Sequence, residues 1–163
     1  MLKVGVVGCG HLGKIHTKLL SQSENYKLIG IYDKDNEESI QVSNEIKCTS
    51  FESFDSLLDS VDVIDIVAPT PFHFNYAKQA INKNKHVFIE KPVCTTSKES
   101  EELIKLGDLK KVKIQVGHVE RFNPAFTKVE SEISKPMFIE SHRLAKFNPR
   151  GTDVSVVLDL MIH

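Results

Sequence analysis

Two oppositely charged residues stand where a predicted strand ends. The segment HVFIEKPV, residues 86–93, runs from three apolar strand residues directly into Glu90 and Lys91. Pro92 disfavours the helical region for Lys91 and so gives the chain an extended exit from the strand. An ammonium group at such a place can donate a hydrogen bond to a developing alkoxide. Because ligands in open parallel sheets bind beyond the carboxyl ends of the strands, we predict that Glu90 and Lys91 lie at a ligand site and that Lys91 is catalytic.

A glycine-rich turn follows the first predicted strand and precedes the first predicted helix. Residues 8–13 read G-x-G-x-x-G, which supplies a tight turn, close approach of a pyrophosphate, and close packing of helix on strand. The helix N-terminus then offers free N–H groups and a positive dipole end to the phosphates. The predicted dinucleotide site includes Gly8, Gly10, His11, Leu12 and Gly13.

An acidic residue stands at the predicted end of the second strand. Asp33, twenty residues after Gly13, can accept hydrogen bonds from both ribose hydroxyls of an adenosine and would repel the additional phosphate of NADP. The predicted cofactor is therefore NAD. NADP stays open as an alternative because Lys34 follows directly.

The glycine-rich segment has two other interpretations. GCGHLGKI also reads as the phosphate loop of an NTPase, but that loop needs Ser or Thr to hold magnesium where Ile15 stands. Ile15 belongs instead to an apolar stripe of the helix with Leu12 and Leu19. The second alternative is a turn that only permits close packing, with Asp33 as a solvated strand end.

The last predicted helix carries an acid and an imidazole on one face. Apolar residues from Val154 to Ile162 follow a clean amphipathic pattern. Asp159 and His163 lie one helical turn apart beside this stripe, where a neutral imidazole could take a proton, although such pairs are usually surface partners. The chain ends at His163 within the pattern, so we expect a truncated protein.

Strand-like and helix-like segments alternate over most of the chain. The predicted strands are Leu2–Val7, Tyr26–Tyr32, Val61–Ala68, His86–Ile89 and Val112–Gly117, and the main helices after the first are Asn36–Ile46, Ser53–Leu58, Phe72–Asn84 and Ser97–Leu106. Because parallel crossovers need helices, the predicted class is α/β, a Rossmann-type doubly wound parallel sheet followed by the beginning of a truncated α/β substrate domain. We place the Rossmann domain at residues 1–118 and the junction and start of the substrate domain at 119–163, with a turn into a helix after Gly117 and a weak strand from Pro136 to Phe147.

The composition excludes several classes of protein. The formal net charge is −1, from 21 basic and 22 acidic residues, so nucleic acid and anionic membranes are poor partners. No apolar stretch approaches the roughly 20 residues that span a bilayer. Three widely separated cysteines indicate free thiols in a reducing compartment, so we expect a cytoplasmic protein, and the histidines and cysteines show no spacing that predicts a metal site.

Four segments together resemble the Gfo/Idh/MocA family of nicotinamide-dependent sugar oxidoreductases. They are APTPFH at 68–73, EKP at 90–92, VGHVERFNP at 116–124, and the D-x-x-x-H of Asp159 and His163. VGHVERFNP and LDLMIH are similar to the branch that contains UDP-N-acetylglucosamine 3-dehydrogenases. The resemblance implies a Rossmann domain that binds NAD(P) and a second, mostly antiparallel α/β domain that holds the substrate.

The resemblance also implies roles for single residues. Lys91 would contact the nicotinamide ribose and the reacting hydroxyl, and His163, paired with Asp159, would be the general base. The loop beside the cofactor would contain Pro69, Thr70, Pro71 and His73. Leu160 and Met161 depart from the commonest form, since many relatives carry a glycine within the D-x-x-x-H pair.

The implied activity is oxidation of a secondary hydroxyl of a sugar or nucleotide sugar by NAD(P), in a homo-oligomer. Two alternatives stay open: an NAD-dependent glycoside hydrolase of the same fold, which acts through a transient oxidation, and a non-catalytic dinucleotide-binding fragment. For the 163-residue chain we expect NAD binding with little or no turnover.

Overall fold

The chain repeats one unit, a strand followed by a helix that returns it to the start of the next strand. The structure is a computed structural model in which residues 1–142, 144 and 155–162 are described. The strands are β1 Leu2–Val7, β2 Tyr26–Tyr32, β3 Thr49–Ser50, β4 Val63–Ile66, β5 His86–Glu90 and β6 Ile114–Gly117. The α-helices are α1 His11–Ser21, α2 Asn36–Ile46, α3 Phe54–Ser60, α4 Thr70–Asn82, α5 Ser97–Lys110, α6 Pro124–Val129 and α7 Val156–Asp159, and Val119–Phe122 and Glu130–Glu132 form 3-10 turns.

The six strands form one parallel sheet in the order β3-β2-β1-β4-β5-β6. The chain runs outward from β1 in one direction and then restarts on the other side of β1 with β4, so that a crevice opens between these two strands at their carboxyl ends. The register aligns those ends, since Val7 pairs with both Tyr32 and Ile66, and Ile66 pairs with Ile89. The predicted Rossmann-type doubly wound sheet is confirmed.

Apolar side chains fill both faces of the sheet. The larger cluster lies between β4, β5 and the helices α3, α4 and α5, with Leu57, Ile81 and Leu103 among its fully buried members. The smaller cluster joins β1 and β2 to α2 through Val6, Ile31 and Val42. Complete burial of one such aliphatic side chain contributes roughly 1.5–3 kcal/mol to stability.

The short strand β3 and the exact strand bounds differ from the sequence prediction. β3 has two residues and carries too little apolar pattern to be recognised, and β4 is shorter at both ends than the predicted Val61–Ala68. The helix α4 begins at Thr70 rather than Phe72, because a proline within the first helical turn has its φ preset and needs no hydrogen-bond donor.

The helix α1 buries its small residues and exposes its large ones. Gly13 and Thr17 are buried, whereas Leu12, Ile15 and Leu19, the apolar stripe of the sequence, are 48%, 43% and 63% exposed. Small residues face the sheet because α1 packs directly on the glycine-rich turn, where larger side chains would not fit.

The segment after β6 agrees least with the prediction. A 3-10 turn and α6 match the expected turn into a helix. Residues 136–142 form no strand, however, because a strand there would have no partner to pair with among the described residues. The amphipathic helix predicted from Val154 is limited in the described part to Val156–Asp159, followed by a turn. Val154, His163 and residues 143 and 145–147 of the predicted strand lie outside the described residues.

Candidate active site

The three glycines of the turn between β1 and α1 have different surroundings. Gly8 has a φ of +102°, a left-handed conformation that side chains rarely adopt, and a Cβ there would lie 2.6 Å from the backbone nitrogen of Ala68. A Cβ on Gly13 would collide with the carbonyl oxygen of Gly8. At Gly10, by contrast, a Cβ would meet no atom within 4 Å. The turn thus leaves open space above Gly10, where a pyrophosphate could approach the backbone.

The N-terminus of α1 points its backbone N–H groups toward this space. Gly10 is the N-cap and provides no side-chain acceptor, and no acidic residue lies in the first turn. The N–H groups of His11, Leu12 and Gly13 therefore have no partner within the helix. Unpaired donors at the positive end of the helix dipole suit a diphosphate.

Asp33 is fixed against the glycine-rich turn by backbone donors. Its Oδ2 accepts a hydrogen bond from the backbone nitrogen of Cys9 at 2.6 Å, and its Oδ1 accepts one from the backbone nitrogen of Asp35 at 2.9 Å. Each carboxylate oxygen retains a lone pair for a ribose hydroxyl. Burial, together with the charge of Asp33, raises the pKa of the Cys9 thiol to about 12, so this cysteine is an inert core residue.

A cavity of about 620 Å³ opens between the turn after β1, the end of β2 and the loop after β4. This is within the usual range for a small-molecule site. Asp33, Asp35 and Glu37 line one side of it, and Lys34 is the one basic residue among the described lining residues. The Nζ atom of Lys34 lies 5.8 Å from the centroid of the Phe72 ring, on the opposite wall. The dominant negative charge favours ribose hydroxyls over a phosphate.

A buried histidine ring contacts the loop between β4 and α4 and helps to hold it in place. His73 is 1% exposed, with Nε2 2.6 Å from the carbonyl oxygen of Ala68 and Nδ1 2.9 Å from that of Pro92. The ring therefore joins the loop after β4, which contains Pro69 and the buried Thr70, to the loop after β5. Direct contact of these residues with a cofactor stays a prediction. In the structure, His73 connects the loop after β4 to the loop after β5.

Lys91 meets Asp159 across 68 positions of the chain. Its Nζ lies 2.9 Å from Oδ1 of Asp159 and 3.2 Å from the carbonyl oxygen of the same residue, and the two side chains are 18% and 26% exposed. The structure thus brings together two of the three predicted catalytic residues. The third, His163, lies outside the described residues.

Glu90 is enclosed beside Lys91. Its Oε2 accepts a hydrogen bond from the backbone nitrogen of Lys91 at 3.1 Å. Its Oε1 fits against Gly117, where a Cβ would lie only 2.5 Å away. The carboxylate therefore occupies a place that only glycine on β6 leaves free.

Residues 2–118 match the model of the Gfo/Idh/MocA oxidoreductase family, described as an NAD-binding Rossmann fold. The chain belongs to this family. The prediction of NAD as cofactor is thereby confirmed at the level of the domain, and the glycine-rich turn and Asp33 have the geometry that this cofactor needs.

Several family members resemble the chain in detail. The UDP-N-acetylglucosamine 3-dehydrogenase of Acidithiobacillus ferrooxidans is 36% identical over 163 residues, which are 99% of this chain and 51% of that protein. A solved structure of that enzyme superimposes with a TM-score of 0.93 over 99% of this chain and 51% of its own. The glucose-6-phosphate 3-dehydrogenase of Bacillus subtilis is 32% identical over 61% of this chain and 29% of its own length.

A further Gfo/Idh/MocA relative has a different activity. The 2,7-anhydro-N-acetylneuraminate hydratase of Escherichia coli is 30% identical over 75% of this chain and 33% of its own length. The chain spans about half the length, or less, of these curated relatives.

One group of residues, of which Asp65 is buried and His16 and Glu90 are partly buried, was missed by the sequence analysis. His16 on α1 donates from Nδ1 to Oδ2 of Asp65 on β4 at 2.9 Å, and its Nε2 lies 3.5 Å from Oε1 of Glu90. The only signal in the sequence was an acidic residue inside the apolar run VDVIDIVA, since a strand buried on both faces rarely carries a charge without a partner.

The described ranges, residues 1–142, 144 and 155–162, lack two features. None of the helices placed there is long and apolar enough to cross a membrane. The His, Cys, Asp and Glu side chains in those same ranges form no group of three suited to holding a metal ion.

Proposed function

We propose that this chain provides the cofactor domain and part of the catalytic site of an enzyme that oxidises a secondary hydroxyl of a sugar or nucleotide sugar. The observation that carries the proposal is the Lys91–Asp159 ion pair, which sets an ammonium group at the carboxyl end of β5, at the same edge of the sheet as the glycine-rich turn after β1. Residues 1–118 bind the cofactor in this scheme, and residues 119–163 form the junction and the start of a substrate domain.

The ammonium group of Lys91 has one donor left for a substrate. Of its three N–H bonds, two are directed to the side-chain and backbone oxygens of Asp159. The third can donate to the oxygen of the reacting hydroxyl and stabilise the negative charge that develops there as the C–H bond breaks. Asp159 thus fixes the direction of the Lys91 head group, and fixed direction is what such stabilisation requires.

The hydroxyl proton needs an acceptor other than Lys91, which is already charged. His163 is proposed as this general base, because it follows Asp159 at the spacing of one helical turn. NAD, when bound, accepts the hydride from the same carbon atom. The chain's own contribution is to hold the hydroxyl, orient it and remove its proton.

NAD is proposed as the preferred form of the cofactor over NADP. Asp33, Asp35 and Glu37 would repel a 2′-phosphate, and Lys34 alone faces them across the cavity. The proposed substrate class is a nucleotide sugar, which is supported by 36% identity to the UDP-N-acetylglucosamine 3-dehydrogenase along 99% of the chain.

The full-length protein should be incubated with NAD and, separately, UDP-N-acetylglucosamine, UDP-glucose and glucose 6-phosphate, while NADH absorbance is recorded. NADH that accumulates with a UDP-sugar supports the proposal. Activity confined to glucose 6-phosphate would retain the dehydrogenase and reject the nucleotide sugar, and NADH in none of the reactions would reject the proposed oxidation for these substrates.

A second candidate is a reaction without net oxidation, such as hydration or glycoside cleavage. The 30% identity to the hydratase favours it. The same incubations distinguish the two, because substrate would then be consumed with bound NAD and no accumulation of NADH.

A further inference from the structure

Three ionisable side chains meet on the face of the sheet that α1 partly covers. His16 lies between Asp65 on β4 and Glu90 on β5, with Nδ1–Oδ2 and Nε2–Oε1 distances of 2.9 Å and 3.5 Å. The ring of Phe88 packs beside the imidazole at a centroid distance of 6.0 Å. No role in the proposed reaction accounts for this cluster.

The buried carboxylate of Asp65 needs a positive partner. Asp65 is 5% exposed, and its Oδ1 has no hydrogen-bond partner among the described residues, so His16 is the group that offsets its charge. Removing one partner of such a pair would leave an uncompensated buried charge. Burial lowers the pKa of His16, but the hydrogen bond to Asp65 and the charges of Asp65 and Glu90 outweigh it, so that the pKa is raised above its usual value. The imidazolium form of His16 therefore persists to higher pH than that of an ordinary histidine.

Glu90 connects this cluster to Lys91. One carboxylate oxygen of Glu90 faces the His16 ring, while the other accepts the backbone N–H of Lys91 at 3.1 Å. Gly117, on β6, lies against Oε1 of Glu90, the oxygen that faces His16. A rotation of the Glu90 carboxylate would therefore disturb the backbone from which the Lys91 side chain extends.

We propose that His16 is a positioning residue for Lys91. Held by Asp65, its imidazolium fixes Glu90, and Glu90 fixes the backbone of Lys91. The inference rests on the proposed catalytic role of Lys91. Since α1 also presents the amides that suit the pyrophosphate, one helix orients both the cofactor and the lysine.

In any test, the effects of other titratable groups near His16 must be distinguished from the effect of His16 itself. Two cavities of about 300 Å³ and 280 Å³ flank the ring. Tyr26, at the start of β2, lines the first together with Asp65, and His118, after β6, lines the second together with Glu90. His118 is the one imidazole other than His16 that lines either cavity, so it is changed separately in the test.

The test uses the full-length protein with NAD bound and 15N-labelled lysine. In the wild type, the amide signal of Lys91 should shift as His16 titrates, at a pH above the ordinary histidine value of about 6.5. In His16→Gln this step should be lost, and kcat should fall about tenfold, a fraction of the ~10²-fold that a 1 Å displacement can cost. KM for NAD should change by less than about twofold, because the backbone N–H groups that are predicted to bind the pyrophosphate are unchanged.

Two further variants keep His16 and change its partners. Asp65→Asn retains an acceptor for Nδ1 but removes the charge, so the Lys91 amide should titrate at lower pH than in the wild type. Gly117→Ala should displace Glu90 and lower kcat with His16 intact. The matched controls are His118→Gln and His86→Gln, the latter at the opposite end of β5, and both should retain the titration step.

Persistence of the Lys91 titration step in His16→Gln, or its loss in His118→Gln, would overturn the proposal. An unchanged kcat in His16→Gln would do so as well. The amide measurement needs no turnover. If no sugar is oxidised, the proposed function fails, but the amide titration still shows whether His16 and Lys91 are coupled.

Discussion

The cofactor end of the sheet and the segment after β6 are held in different ways. Gly8, Gly13 and Asp33 are fixed by backbone contacts within a packed layer of strands and helices. From Val119 onward, no described residue is buried, and Phe122, Met137 and Phe138 are 75%, 102% and 81% exposed. Cofactor binding is therefore expected of the Rossmann domain itself, whereas the proposed substrate chemistry depends on one ion pair that joins the two regions.

The largest effect is expected at that junction. Lys91→Met keeps the length of the side chain and removes the donor to the substrate oxygen, so kcat should fall by roughly 10²–10³-fold. Affinity for NAD should fall by less than about tenfold, since binding depends mainly on the other end of the cofactor. Steady-state kinetics and NAD titration measure both quantities. Lys98→Met, on the exposed start of α5, is the control and should leave kcat and the affinity for NAD unchanged. Equal losses in kcat and NAD affinity in Lys91→Met would show that the two regions are not functionally distinct.

A pair of glycine variants sharpens the description of the cofactor region. Gly10→Ala places a methyl group in open space, so the melting temperature should hold while affinity for NAD falls by about 10²-fold, because the methyl group takes the place of the pyrophosphate. Gly13→Ala collides with the Gly8 carbonyl, so both stability and NAD binding should be lost. Thermal unfolding and NAD titration distinguish the two variants, and an unchanged NAD affinity in Gly10→Ala would contradict the assigned pyrophosphate position.

A smaller effect is expected for Asp33→Ser. It removes the charged acceptor of the ribose hydroxyls and the repulsion of a 2′-phosphate, so the preference for NAD over NADP should drop by about 20-fold, within the roughly 1.5–3 kcal/mol of a charged hydrogen bond. Parallel titrations with both dinucleotides measure the ratio. Asp55→Ser, at an exposed position of α3, is the control, and an unchanged ratio in Asp33→Ser would count against Asp33.

The smallest expected effect is on stability and depends on pH. Because the pKa of His16 is raised in the folded state, its contribution is complete below the unfolded pKa of about 6.5 and is lost as pH rises through the folded value. The difference in free energy of urea unfolding between wild type and His16→Gln should therefore be larger at about pH 6 than at about pH 8.5. A difference that is equal at both pH values would show that His16 is not charged in the fold.

The sequence predicted the Rossmann fold and the NAD cofactor because the signals for both are local. The glycine spacing, the carboxylate after β2 and the proline after Lys91 each report a backbone requirement that neighbouring residues satisfy. The parallel, doubly wound sheet followed from the alternation of strands and helices. The same local signals placed Lys91 at the strand end, where the structure has it.

Long-range and packing features could not be predicted in the same way. The stripe of Leu12, Ile15 and Leu19 suggested the packed face of α1, but the close approach of the helix to its own turn requires Gly13 and Thr17 there. The link of His16 to Asp65 spans 49 positions and that of His73 to Pro92 spans 19, and no periodic pattern records either. Such contacts depend on register, which only the folded sheet defines.

The His73 ring has a mechanical consequence for cofactor exchange. The ring contacts the carbonyl oxygen of Ala68 in the loop after β4 and that of Pro92 in the loop after β5, so moving one loop away from the other would break one of these contacts. We therefore expect the two loops to move together when a dinucleotide enters or leaves.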